Sequence, residues 1–243
     1  MLSDILTILR KDLKEIFVQR GSLRSGLMNI LIILAIIGVL FPLQMGREWL
    51  INPIGLISVV WMPLFMSMGL VADAFAGERE RHTLETLLAS RLSDQAILFG
   101  KLAAAVVYGM IIALAGILIG ALTINLRYPG AGFYPAGNFL GALIFTLLGT
   151  LLVGGLGVLV SLRASSVRQA YQRMSLGFIV LWLPLILGPQ ILPKEGLAAF
   201  SQWLTQVNAT QAAFIAGAVL LILAMVMIGL AITQFKRSRL ILD

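Results

Sequence analysis

Long apolar runs, separated by short polar segments, make up most of the chain. Their apolar residues are continuous and do not alternate with polar ones, so the runs predict helices and not the strands of a membrane barrel. Most of them reach the ~20 residues with which a helix crosses a bilayer. The six runs cover about residues 23–43, 53–76, 102–126, 138–162, 175–192 and 211–235. We therefore predict an all-α membrane protein in which residues 23–243 form a six-span transmembrane domain.

Residues 1–22 follow a different pattern, in which apolar and charged positions separate at helical spacing. Asp4, Lys11, Lys14 and Glu15 lie on one side of a helical wheel. The apolar side chains fill a wedge of roughly 120° on the other side, and they are Leu2, Ile5, Leu6, Leu9, Leu13, Ile16 and Phe17. The pattern predicts an N-terminal amphipathic helix in the membrane interface, in contact with lipid. A helix packed on a partner protein is the alternative.

Composition supports the membrane assignment. The chain is 59% hydrophobic and 12% charged, with a mean hydropathy of +0.98, values that soluble domains do not reach. Cysteine is absent, which excludes disulfides and thiolate metal sites. In such a chain the net charge of +7 is first a signal of membrane topology. We therefore expect no nucleic-acid partner.

The basic residues are distributed unevenly between alternate polar segments. Of the 18 Lys and Arg residues, all but Arg47, Arg127 and Lys194 lie in the N-terminal segment, in the segments after spans two and four, or in the C-terminal tail. Basic residues concentrate on the cytoplasmic side of membrane proteins, so both termini are predicted to face the cytoplasm, at the cytoplasmic (inner) membrane. The external segments carry aromatic residues typical of an interfacial belt: Trp49, Tyr128, Phe133, Tyr134 and Trp203.

The spans themselves offer little chemistry. Their centres hold no Asp, Glu, Lys, Arg or His, whereas carriers coupled to protons usually place such groups in the membrane. His82 is the only histidine, and Gly100-Lys101 lacks the other residues of a phosphate-binding loop. We therefore predict no catalytic residue, no metal site and no bound cofactor, and no enzyme activity of this chain.

Two kinds of residue inside the spans suggest helix packing or a pathway. Asn29, Ser58 and Ser67 are polar positions that could face a substrate pathway, although single polar residues more often bond across helices. The pairs Gly116-x-x-x-Gly120 and Gly137-x-x-x-Gly141 have the spacing that lets helices approach closely. We favour packing of these glycines within one subunit over a seam between two subunits.

Charge is concentrated in residues 77–101, between spans two and three. Thr83 can begin a helix there, and its leucines then form one short apolar face, while Ser93 and Asp94 mark a second helix start. The acidic pair Glu78 and Glu80 has basic neighbours, which favours a solvated charge run. The segment predicts a short amphipathic cytoplasmic helix joined to two spans. Its leucines need a partner surface, either on this protein or in a groove of another subunit.

The sequence of this region is DAFAGERERHTLETLLASRLSDQAILFGKLAAA. It closely resembles the segment between the second and third spans of ABC-2-type permeases, the membrane subunits of ATP-binding-cassette exporters, where the typical run is F-A-x-E-[RK]-E-[RK]-x-T-L-E-x-L-L followed later by Gly-Lys. The matching residues are Phe75, Glu78, Arg79, Glu80, Arg81, Thr83, Leu84, Glu85, Leu87, Leu88, Gly100 and Lys101. His82 and Arg91 depart from the pattern, since a small or basic residue and a proline are usual there.

The resemblance implies a function and a set of partners. Residues 77–92 would form a coupling helix that docks in a cleft of a separate ATPase subunit, and residues 193–207 would form a short external cap. The implied complex has two ATPase subunits, which bind ATP and magnesium, and two permeases, the second being another copy or a related chain. The implied ATPase contacts are Glu78, Arg79, Glu80, Arg81, Thr83, Leu84, Glu85, Leu87 and Leu88. The alternative is a secondary carrier or channel that works without an ATPase.

Overall fold

A computed structural model describes residues 1–18, 23–191 and 208–235, together with Pro193 and Gly196. Within these residues all regular structure is helical, as the sequence predicts. The helices are α1 (Leu2–Val18), α2 (Leu23–Ala35), a π-helical turn (Ile36–Leu40), α3 (Phe41–Met45), α4 (Glu48–Ile51), α5 (Pro53–Glu80), α6 (Leu84–Ala89), α7 (Asp94–Arg127), α8 (Ala136–Arg163), α9 (Val167–Ile191) and α10 (Ala209–Gln234).

Five helical stretches of the described chain are long and apolar enough to cross a membrane. They are Leu27–Met45, Ile57–Glu80, Asp94–Arg127, Ala136–Arg163 and Thr210–Gln234. The remaining predicted span, residues 175–192, overlaps α9, which is not one of these five, so the count of six stays a prediction. The predicted external cap at residues 193–207, with Trp203, lies outside the described residues except for Pro193 and Gly196. The chain is thus a multi-pass helical membrane protein.

Two helices extend beyond the apolar runs that predict them. The second apolar run ends at residue 76, yet α5 continues to Glu80; the third begins at 102, yet α7 starts at Asp94. A helix ends where its backbone finds a cap, not where its sequence becomes polar. About half of the predicted segment 77–101 therefore belongs to the ends of two long helices, and residues 81–93 connect them.

Glycine allows α8 to lie close to its neighbours. A Cβ at Gly149 would lie 2.7 Å from Leu64 of α5, and one at Gly155 would lie 3.1 Å from the backbone of Ile228 in α10. A side chain at either position would require its neighbours to shift, so α8 packs directly against both helices.

The two predicted glycine pairs have different surroundings. A Cβ at Gly116 would lie 2.6 Å from Ile37, and one at Gly120 would lie 2.8 Å from Trp49 Nε1. Packing of this pair within the chain is confirmed. Around Gly137 and Gly141 no atom of a neighbouring described element lies within 4 Å of such a Cβ, so packing of the second pair within one subunit stays a prediction.

At the end of the bundle where α7 stops, two of the predicted belt residues are buried. Trp49 is 1% exposed and Tyr134 is 4% exposed, and Trp49 Nε1–H donates to the Tyr134 hydroxyl at 2.8 Å. A tryptophan whose N–H is satisfied inside the protein does not need the headgroup layer. The interfacial-belt prediction is therefore wrong for these two residues, whereas Phe133 is exposed.

Candidate functional site

The opposite end of the bundle, where α5 stops, contains the charged segment. His82 takes a left-handed conformation with φ of 56°, its N–H bonds to Arg79 O at 3.1 Å, and the Thr83 N–H bonds to Glu78 O at 2.8 Å. This pair of bonds is a Schellman motif, which satisfies the last carbonyl groups of a helix. It explains why α5 ends at Glu80 and why the chain turns there.

Thr83 and Ser93 are the two predicted helix starts, and the structure distinguishes them. Thr83 makes no side-chain cap for α6; its hydroxyl donates to the Glu78 carboxylate instead. α6 nevertheless begins directly after Thr83, which is its N-cap residue, so the predicted start is confirmed, although the Thr83 side chain binds Glu78 and not a backbone N–H of α6. The Ser93 hydroxyl accepts from the Ala96 N–H at 3.2 Å and begins α7, which confirms the second start.

The leucines of α6 pack on this protein's own surface. Leu84 and Leu88 are buried in an apolar cluster with residues of α5 and α7, including Phe75 and Ile97, and Leu87 packs at its edge. Of the two partner surfaces that the sequence leaves open, the buried leucines therefore use the one on this protein. The exposed face of α6 is formed by Glu85, Thr86 and Ala89.

Glu78 lies at the centre of the charged residues and is 2% exposed. One carboxylate oxygen accepts from Lys11 Nζ of α1 at 2.9 Å and lies 3.4 Å from Lys101 Nζ of α7. The other oxygen accepts from the Thr83 hydroxyl. A buried carboxylate needs such partners because burial without them is costly. Glu78 thus connects the ends of α1, α5 and α7.

Asp12 completes this cluster from the N-terminal helix. Its carboxylate is mostly buried and lies 3.5 Å from Lys101 Nζ. Burial raises the pKa of the Asp12 carboxyl, and the ammonium groups of Lys101 and Lys11 oppose that rise. Close packing accompanies the ion pair, since a Cβ at Gly100 would lie 2.7 Å from Ile8 Cβ. We call Lys11, Asp12, Glu78 and Lys101 the ion cluster.

Arg79 joins α5 to the end of α8. Its guanidinium donates to Leu162 O at 3.0 Å and to Ala164 O, which are carbonyl groups at the C-terminus of α8. Such groups lack partners within the helix and attract positive charge through the helix dipole. Arg79 therefore acts as a cap supplied by a neighbouring helix.

Glu80 and Arg81 complete the series of four consecutive charges. A carboxylate oxygen of Glu80 accepts from the Val167 N–H at 3.1 Å, at the N-terminus of α9, where negative charge is favoured. Arg81 pairs with Asp73 of α5 at 3.1 Å. The interpretation as a solvated charge run is therefore wrong for Glu78, which is buried, whereas Glu80 is exposed as that interpretation expects.

Ser161 of α8 also binds α5, and sequence analysis does not single it out. Its hydroxyl is fully buried, donates to Ala72 O at 2.9 Å and accepts from the Phe75 and Ala76 N–H groups at 3.1 and 3.0 Å. All three hydrogen-bonding positions of a hydroxyl are used. Asp12 is missed in the same way, since an isolated polar residue on a helix carries no local sign of its partner.

The predicted ATPase contacts fall into three groups by exposure. Glu80, Arg81, Thr83 and Glu85 are exposed; Arg79 and Leu87 are partly buried; Glu78, Leu84 and Leu88 are buried. The structure brings all of them to one end of the bundle. Their contact with an ATPase stays a prediction, and the exposed group is the one that a partner could touch without rearrangement.

The predicted pathway residues do not form one surface. Ser67 is buried, and its hydroxyl bonds to Pro63 O at 2.8 Å and to Ala105 O of α7 at 3.3 Å, which is a bond across helices. The Ser58 hydroxyl donates to Gly55 O on its own helix, and Asn29 is exposed on α2. Within the described chain no hydrogen bond joins these three residues, and their role in a pathway stays a prediction.

An apolar cavity of about 510 Å³ lies between α5 and α9. Among the described residues that line it, Ser175 carries the one hydroxyl, which already donates to Tyr171 O at 2.8 Å. A cavity of this character would hold an apolar group, such as a lipid chain or the apolar part of a substrate. The lining side chains are Trp61, Phe65, Ser175, Phe178, Ile179, Leu183 and Leu187.

Residues 81–93 connect α5 to α7, and we call them, together with the adjoining ends of α5 and α7, the junction. The junction carries the short helix α6, whose leucines pack on α5 and α7. Comparison with known proteins is consistent with that arrangement. No curated protein matches the chain. The family model described as ABC-2 type transporter matches residues 3–216, which include every helix of the junction. Since this match covers most of the sequence, the chain belongs to the ABC-2 type transporter family and forms its membrane-spanning permease domain.

Proposed function

We propose that this permease is the membrane subunit of an ATP-binding-cassette exporter, and that ATP is hydrolysed in a separate ATPase subunit. The observation that carries the proposal is the junction formed by α6. Its exposed face, Glu85, Thr86 and Ala89, projects from the bundle between two long spans. A soluble motor that bound this face would hold the membrane helices at their connected ends.

The contacts of the junction suggest how motion would pass from an ATPase to the membrane. Leu84 and Leu88 are buried against α5 and α7, so a displacement of α6 is transmitted directly to both helices. Glu78 extends the connection to α1, and Arg79 and Glu80 extend it to α8 and α9. ATP-driven closure of two ATPase subunits would therefore move these helices together.

These contacts change which of the predicted residues we propose as the docking surface. The buried members, Glu78, Leu84 and Leu88, support the shape of the junction from within. Glu85, with the neighbouring exposed Thr86 and Ala89, would make the direct contact. Arg81 and Thr83 lie at the start of the same exposed surface.

We also propose six spans, with both termini in the cytoplasm. Support comes from the positions of the two terminal helices. Lys11 of α1 binds Glu78, and the ring of Phe235, which follows α10, lies 5.0 Å from that of Phe75. Both ends of the described chain thus lie at the α6 end of the bundle, where the basic residues concentrate.

Co-purification tests the proposed function. The tagged chain is purified in detergent from its native membrane, and the bound proteins are identified by mass. We expect an ATPase with a phosphate-binding loop to accompany the wild type, and at least tenfold less of it to accompany Glu85→Lys. Glu48→Lys is the matched control, because Glu48 is exposed beside Trp49 at the other end of the bundle and the charge change is the same.

Two outcomes would contradict the proposal. A wild-type chain that purifies without any nucleotide-binding protein, and that conducts solute in vesicles without ATP, would be a carrier or channel. Equal recovery of the ATPase with Glu85→Lys and Glu48→Lys would still support a complex with an ATPase, but it would exclude the exposed face of α6 as the docking surface.

A further inference from the structure

Helix α1 has two different stripes along its length. One stripe faces the protein: Ile8 is 3% exposed, Asp12 is mostly buried, and Ile8 lies against Gly100 of α7. The other stripe faces outward and consists of Leu2, Leu6, Arg10 and Lys14, which follow one another at intervals of four residues. Because residues four apart are neighbours on a helix, these four side chains form one continuous surface.

The outward stripe is apolar at one end and basic at the other. Leu2 is 78% exposed and Leu6 is 50% exposed, and Arg10 and Lys14 are exposed beside them. In a fully soluble protein such leucines would lie in water without compensation. Their position beside two basic side chains is the pattern of a helix in the headgroup layer of a bilayer.

The acidic residues of α1 do not neutralise this stripe. Asp12 pairs with Lys101, Glu15 pairs with Lys11, and Asp4 pairs with the N-terminal ammonium group. No ion pair or hydrogen bond joins the side chains of Arg10 and Lys14 to another residue in the part of the chain that the structure describes. Arg10 and Lys14 thus remain on the outward stripe as two cations without a partner among the described residues.

We propose that this stripe binds the headgroups of anionic phospholipids in the leaflet that α1 contacts. Leu2 and Leu6 insert among the acyl chains near the headgroups, and Arg10 and Lys14 bind lipid phosphates by charge-assisted hydrogen bonds. The occupant is a lipid and not a soluble anion, because the apolar and basic parts share one surface. The site does not depend on the proposed export function, since it needs only the permease in a membrane.

Native mass spectrometry of the full chain in detergent tests the proposal. Delipidated protein is titrated with phosphatidylglycerol or phosphatidylcholine, and bound lipids are counted. We expect the wild type to bind phosphatidylglycerol more tightly than phosphatidylcholine. In R10Q/K14Q the ratio of the two affinities should fall by about 10- to 30-fold, because two basic side chains near the anionic headgroup are lost. Arg10→Lys keeps the charge and should keep the preference.

The matched control is R91Q/R127Q, which removes two exposed arginines elsewhere on the surface and changes the net charge equally. We expect it to bind phosphatidylglycerol as the wild type does. Equal losses in both double variants, or no loss in R10Q/K14Q, would overturn the site. Displacement of phosphatidylglycerol by inorganic phosphate at similar concentration would also overturn it, because the stripe would then bind a free anion. An unchanged thermal midpoint shows that the variants are folded.

Discussion

At the scale of single residues, Glu78 and Lys101 lie where α1, α5 and α7 meet, and both are almost completely buried. Glu78 accepts from Lys11 and Thr83, and Lys101 lies between Glu78 and Asp12. A buried charge is tolerated because its partners are present, and the cluster is costly to leave incomplete. Glu78 and Lys101, which both match the family motif, thus stabilise the junction from inside.

Lys101→Met tests this role. Removal of the ammonium group leaves Asp12 without its partner and Glu78 with one fewer, so we expect a loss of about 3–5 kcal/mol in unfolding free energy. The measurement is the thermal midpoint of the purified permease. Arg91→Met is the control, because Arg91 is exposed and its loss should change stability by no more than about 0.5 kcal/mol. Equal midpoints for the two variants would contradict a structural role for the cluster.

Residue-level prediction from the sequence succeeds where the signal is local. Ser93 begins α7 as expected because its bond reaches only to Ala96. Glu78 cannot be predicted in this way, since its partner Lys11 is 67 positions away and nothing in the neighbouring sequence identifies it. The same separation explains why Asp12 and Ser161 are missed.

At the scale of elements, the ends of helices are the features that the apolar pattern does not locate. The helix of span two continues past its apolar run to Glu80, where the Schellman motif at His82 ends it, and the helix of span three begins before its apolar run, at Ser93 and Asp94. Hydrophobicity marks where lipid surrounds a helix, whereas capping marks where the helix stops. The separate helix between these two spans is consequently short, because α6 covers only Leu84–Ala89, and its role as a coupling helix stays a prediction.

The docking of α1 on α7 gives an element-scale prediction. A Cβ at Gly100 would lie 2.7 Å from Ile8 Cβ, whereas one at Gly69 would have no atom within 4 Å. We therefore expect Gly100→Ala to destabilise the permease by about 1–3 kcal/mol through overpacking. Gly69→Ala should be neutral or stabilising by up to about 1 kcal/mol, because alanine favours the helix.

Limited proteolysis and thermal midpoints measure these effects together. Gly100→Ala should release α1, so cleavage in residues 1–18 should become faster, while Gly69→Ala should leave the cleavage rate unchanged. If α1 stays equally protected in both variants, its contact with Gly100 does not hold it in place.

At the scale of the whole molecule, the polar segments between the long helices lie at the two ends of one bundle. The α6 connection lies with α1 and with the end of α10, and the contact of Trp49 with Tyr134 lies at the other end. Apolar length and the distribution of Lys and Arg were sufficient to predict an all-helical membrane protein. The packing partners of each helix were not predictable, because small residues permit close approach without specifying the neighbour.

Membrane topology can be measured with single cysteines, because the chain contains none of its own. Phe133→Cys and Thr86→Cys place one thiol at each end of the bundle, both at exposed positions. In intact cells a membrane-impermeant maleimide should label Phe133→Cys only, and permeabilised cells should label both. Labelling of Thr86→Cys from outside intact cells would reverse the proposed orientation.

The central claim is that the exposed face of α6 docks on an ATPase, and cross-linking from that face tests it most directly. Thr86→Cys is treated in native membranes with a short thiol-to-amine cross-linker, and adducts are identified by mass. The account predicts an adduct with a protein that contains a phosphate-binding loop, and no such adduct from Phe133→Cys. Efficient reaction of Thr86→Cys without any nucleotide-binding partner, or the same adduct from both positions, would contradict it.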